Sequence, residues 1–155
     1  MDWLHKNCFK EILAIERGIE DRKLVLARQP DFSLEQAFIQ FSDSSLTRLS
    51  SSELMYGFER LGITCSMDDA RLLVARFDAD EDMKLGFWEF SNIFLPVEPV
   101  TRDDLERRKS NGYAVGISSE TRMLLQQTLR NVIDAENMVE SMRQQVSKTI
   151  PINLR

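Results

Sequence analysis

Apolar residues recur at three- and four-residue steps through most of the chain, the spacing of one helical face. Residues 2 to 28 read as one long helix, with Cys8, Ile12, Ile15, Ile19 and Leu26 on its stripe and a gap near Arg22. Gln29-Pro30 ends it, because the residue before proline resists the helical region. Four shorter helices follow. Ser33 and Gln36 form a capping-box pattern ahead of Ala37, Phe38 and Phe41, and Ser50 and Glu53 form another ahead of Leu54, Phe58 and Leu61. Gly62 suits the stop after the second of these. Ser66 starts a helix through Ala70, Leu73, Val74 and Phe77. The last begins near Gly86, carries Phe90, Ile93 and Phe94, and halts before Pro96.

These four helices are two copies of one unit. Phe41 and Phe77, Leu49 and Leu85, Glu53 and Glu89, Leu54 and Phe90, and Phe58 and Phe94 all stand 36 residues apart. Residues 97–117 read as a connector in which Thr101 and Asp104 cap a short helix ending at Lys109, followed by the turn-rich "SNGYAVG". A second long helix is expected over 118 to 148, with Leu125, Val132, Val139 and Val146 spaced by seven and Leu129, Ala135 and Met142 beside them. Leu13, Glu16, Ile19, Glu20 and Lys23 match Ile133, Glu136, Val139, Glu140 and Arg143 at a constant offset of 120, as a further repeat or by the chance likeness of amphipathic helices. The expected fold is all-α. It divides into an N-terminal helix (1–30), a pair of helix-loop-helix units (31–96), the connector (97–117), and a C-terminal helix with its tail (118–155).

Composition narrows the function. With 155 residues, 43% hydrophobic and 29% charged, the chain can fold around a core. No apolar run is long enough to span a membrane, and the N-terminus lacks the pattern of a secretory signal, so no membrane partner is expected. Two cysteines, Cys8 and Cys65, are too few for a disulfide framework and fit a reducing, cytoplasmic setting. A net charge of −5 disfavours nucleic acid, whose binding needs phosphates neutralised by Lys and Arg. The only histidine, His5, stands one helical turn from Cys8, but nothing orients the imidazole, so no enzyme is expected.

The remaining chemistry lies in "FDADEDMKLGFWEF", residues 77 to 90. Calcium takes six to eight oxygen ligands, and a 12-residue loop between helices supplies them from alternating positions. Residues 78–89 place Asp78, Asp80 and Asp82 at positions 1, 3 and 5, the Lys84 carbonyl at position 7, and Glu89 at position 12. This stretch resembles the EF-hand family of calmodulin-like proteins, and the resemblance covers about residues 33 to 95. It implies a calcium ion on Asp78, Asp80, Asp82, Lys84 and Glu89, and a short antiparallel bridge between paired loops at Leu49 and Leu85. One departure stands at position 6, where Met83 replaces the usual glycine. A left-handed backbone there costs a side chain about 1–2 kcal/mol, or roughly tenfold in affinity.

The first loop, residues 42–53, offers Ser42, Ser44 and Leu46 at the first ligand positions, with Arg48 at position 7. No metal is expected there, and Glu53 is assigned to the cap with Ser50. The long helices carry apolar stripes that must be covered, by the EF-hand pair, by each other, or by partner proteins. Self-occupation would make the unit a stable building block instead of an opening switch. The expected function is thus a calcium-binding module with one live loop and protein-interaction helices. The alternative is a scaffolding unit with calcium optional or absent. The arrangement of EF-hand pair plus long helix is similar to that of ciliary and flagellar repeat proteins, which implies cytoskeletal partners and a ciliary location.

Overall fold

The computed structural model describes residues 3–42, 47–109 and 117–149. The order is α1 (Trp3–Ala27), α2 (Leu34–Phe41), β1 (Arg48–Leu49), α3 (Ser51–Arg60), α4 (Met67–Phe77), β2 (Leu85–Gly86), α5 (Phe87–Ser91), α6 (Pro99–Arg107) and α7 (Ser119–Thr149). The fold is all-α, with one two-residue antiparallel bridge among the described residues. Among the described residues, no helix is long and apolar enough to cross a membrane.

Local chemistry sets most boundaries. Ser33 accepts the Gln36 N–H at 3.1 Å and starts α2. Ser50 and Glu53 cap each other's backbone at the head of α3, and Ser66 and Asp69 do the same for α4. Gly62, at φ +76°, makes the left-handed turn that separates α3 from α4.

Two of the shorter helices differ from the sequence reading. The helix expected to continue through Phe94 stops at Ser91. There the Ser91 hydroxyl donates to the Phe87 carbonyl at 2.7 Å, and the next N–H groups bond three residues back, Ile93 to Phe90 and Phe94 to Ser91. Ile93 and Phe94 are therefore buried from a tightened turn and not from a helix. The connector helix is capped by Glu98, whose carboxylate accepts the Val100 and Thr101 N–H groups at 3.0 and 2.7 Å. It begins with Pro99, ahead of the expected Thr101, and ends at Arg107.

The core joins both helix-loop-helix units. Phe41 meets Phe58 and Phe90 edge-on or tilted at 5.2 and 5.1 Å, Phe38 packs edge-on against Phe87 and Phe90, and Phe90 meets Phe94. Such pairs add about 0.5–1.5 kcal/mol each beyond area burial. Gly57 gives Phe41 its room, since a Cβ at 57 would overlap the ring.

Both long helices close on this core and on each other. From α7, Leu125, Leu129, Val132 and Ile133 join the same buried cluster as Leu54, Leu73 and Phe90. Three α7 side chains also cap the α3–α4 turn, with Arg122, Gln126 and Arg130 donating to the carbonyls of Arg60, Leu61 and Gly62. The start of α7 is clasped by Asp31, which accepts the Ser118 N–H at 2.6 Å and the Thr121 hydroxyl at 2.5 Å. Helix α1 lies along α7 and buries Leu26 and Ala27 at its C-terminal end. Glu20 and Lys23 tie it to the segment before α6, accepting the Val97 N–H at 2.9 Å and donating to the Leu95 carbonyl at 3.4 Å. Toward its N-terminus the contact loosens. A cavity of about 500 Å³ lies between Ile12, Ile15 and Ile19 of α1 and Val132, Ala135 and Val139 of α7.

Candidate metal centre

The candidate centre is the loop between α4 and α5. Asp78 caps the C-terminal end of α4 and Glu89 stands in the first turn of α5, so the two helices hold the ends of the ligand set. Between them β2 pairs with β1 in antiparallel register, Leu49 opposite Leu85 and Arg48 opposite Gly86. Leu49 and Leu85 are fully buried, which fixes the loop to the core.

Within the loop the acidic side chains turn the backbone around themselves. Asp78 accepts the Met83 N–H at 2.7 Å and the Asp82 N–H at 3.3 Å. Asp82 accepts the Lys84 N–H at 3.0 Å. Glu89 accepts from Ala79, Asp80 and Gly86 at 2.6, 3.2 and 2.9 Å. This winding requires a left-handed backbone at Glu81, φ 58°, and at Met83, φ 65°. The strain expected at Met83 is present, and Glu81 adds a second strained position that the sequence did not announce.

Asp78, Asp80, Asp82 and Glu89 each offer a carboxylate oxygen, and these oxygens all lie within 4.8 Å of one another. Lys84 exposes its side chain to solvent. An all-oxygen, anionic donor set suits a hard cation such as calcium and lacks the nitrogen and sulfur ligands preferred by zinc or copper. The crowding shows in protonation. Desolvation and the hydrogen bonds to Asp82 and Asp78 push the Asp80 carboxyl up, against the pull of Arg48. Partial burial raises Glu89, but the Gly86, Asp80 and Ala79 N–H groups and the Arg48 charge outweigh it and hold Glu89 below its ordinary value.

A cation from the first loop already sits among these oxygens. Arg48 Nη2 lies 2.7 Å from Asp80 and 2.9 Å from Glu89, and Nε lies 2.6 Å from Asp82. The short Nε contact lies off ideal hydrogen-bond geometry, so it is held chiefly by charge. The sequence reading placed Arg48 at position 7 of a loop without metal and gave its side chain no partner. Its side-chain role was readable only from the register, since a residue next to Leu49 must stand opposite Gly86 once Leu49 pairs with Leu85.

The first loop is described at Ser42 and from Thr47 onward; Asp43, Ser44 and Leu46 lie outside the described residues. Glu53 is engaged in the α3 capping box, accepting the Ser50 N–H at 3.0 Å. The side chains of His5 and Cys8 also lie outside the described set. Burial and the Asp69 charge push the Cys65 thiol up to about 11.

The chain is 31% identical over 67 residues to the Arabidopsis thaliana protein named "Probable calcium-binding protein CML26". The match covers 43% of this chain and 41% of that protein's length. Together with the acidic cluster, it supports an EF-hand-like chain. No family model matches the sequence, and no solved structure matches it.

Proposed function

We propose that residues 78–89 bind one calcium ion through Asp78, Asp80, Asp82, the Lys84 carbonyl and Glu89, and that the protein is a non-catalytic calcium-binding module. The observation that carries this reading is the convergence of four carboxylate oxygens within 4.8 Å, held by two helices and a β-bridge. The ion would neutralise the mutual repulsion of the acids and draw the ends of α4 and α5 into one ligand set. Isothermal titration of the full chain with calcium tests it. One site per chain is expected, lost in Glu89→Gln, and equal heats for the two proteins would overturn the assignment.

A second reading concerns what the ion does. In opening EF-hand switches, calcium exposes an apolar groove. Here Leu125 and Leu129 of α7 are fully buried in the pair's own core. We read the unit as a closed brace that calcium stiffens, with partner proteins meeting its exposed helical surfaces. A place among ciliary microtubules rests on the architectural resemblance alone.

A further inference from the structure

The Arg48 guanidinium is built into the second loop from outside it. It comes from position 7 of the first loop and crosses the β-bridge. It contacts Asp80, Asp82 and Glu89, three of the four acids proposed as ligands. The floor beneath it is Gly86, at position 9. A Cβ on residue 86 would approach Arg48 Nη1 to 3.1 Å and Cζ to 3.3 Å, so the missing side chain makes room for the guanidinium. The Arg48 side chain keeps 37% of its surface exposed, which leaves it a route to solvent.

We propose that Arg48 is a tethered cation that competes with calcium for the second loop, so that the ion binds only as the guanidinium leaves. This rests on the reading that residues 78–89 take calcium. The physical reason is exclusion by charge and by lone pairs. Guanidinium stays protonated at every pH the fold survives and cannot share three carboxylates with a dication at contact distance. Part of the Arg48 side chain remains in solvent and Asp78 lies outside its reach, so a dication that engages all four carboxylates can displace it. The exchange also sets the affinity. If the Arg48-out form is populated about one time in ten, the apparent Kd is about tenfold weaker than the intrinsic one. In the metal-free protein the same contact holds the two loops together, because it offsets the repulsion among the acids.

Arg48→Gln separates these effects. Calcium titration of the full chain should show Kd about tenfold tighter than wild type. The metal-free melting temperature should fall, and the rise in melting temperature on adding calcium should grow. Gly86→Ala supplies an independent push on the guanidinium. It should tighten calcium binding in the wild-type background by more than it does when added to Arg48→Gln. Wild-type binding with Arg48→Gln no tighter, or weaker, overturns the gate while leaving the calcium loop intact. Absence of binding in wild type, Arg48→Gln and Gly86→Ala alike overturns both.

Discussion

Single residues set the strain of the loop and the packing of the core. Met83 occupies a left-handed position at φ 65° with its side chain largely in solvent, so the thioether gains little packing in return. Met83→Gly removes strain without removing a contact. Because the strained turn is already in place, the relief is shared by the free and bound states: the protein should gain up to about 1 kcal/mol in chemical denaturation, with little change in calcium Kd by titration. The neighbouring Trp88 is more than half exposed and stacks edge-on with Phe87 at 5.1 Å. Its emission offers an optical check on filling at the adjacent Glu89. Gly57 poses the opposite case. Alanine there would ordinarily favour a helix, by about 1 kcal/mol. The Phe41 ring, buried against Phe58 and Phe90, cannot retreat, and overpacking should win. Gly57→Ala is expected to destabilise by about 1–3 kcal/mol in urea unfolding, with little change in calcium Kd.

At the scale of elements, capping acids govern acid sensitivity. Asp69 accepts from Ser66 at the head of α4 and from Asn137 of α7 at 2.7 Å, and Asp31 clasps the head of α7. In both, desolvation raises the pKa but the hydrogen bonds outweigh it, so the folded value lies below the ordinary 3.8. A depressed carboxyl stabilises the fold above its unfolded pKa and loses that contribution as pH falls through the folded value. Thermal stability should therefore drop as pH falls below about 4, and Asp31→Asn together with Asp69→Asn should flatten that drop. Either cap removed by alanine should cost about 1 kcal/mol at neutral pH. The same scale shows what the sequence made legible. The starts of α2, α3 and α4, the Leu49–Leu85 bridge and the four-acid loop were readable because each depends on residues a few positions apart or on the 36-residue repeat. The early end of α5 was not, because periodicity marked Phe94 as buried and says nothing of the hydroxyl that tightens the turn. Asp31 and Arg48 escaped for a different reason. Asp31 meets Ser118, 87 residues away, only in the assembled fold, and Arg48 reaches Asp80, 32 residues away, only through the register of the bridge.

For the molecule as a whole, the second long helix is part of the core. Leu125 and Leu129 are fully buried, so Leu129→Ala should cost about 2–5 kcal/mol, read by urea unfolding. Because that surface is already covered, calcium should raise stability without exposing apolar area. At a hundredfold excess over Kd the gain is about 2.7 kcal/mol, visible as a higher melting temperature. Binding of a hydrophobic dye should stay flat across the same titration, and a calcium-dependent rise would contradict the closed brace.

The Asp31 clasp has a temporal side. Its acceptor is made early in the chain and its donors, Ser118 and Thr121, only 87 to 90 residues later. During synthesis the helix-loop-helix pair must emerge with Phe58, Leu73 and Phe90 lacking their α7 cover. Those greasy surfaces stay open to chaperones, or to another nascent copy, until α7 has left the ribosome.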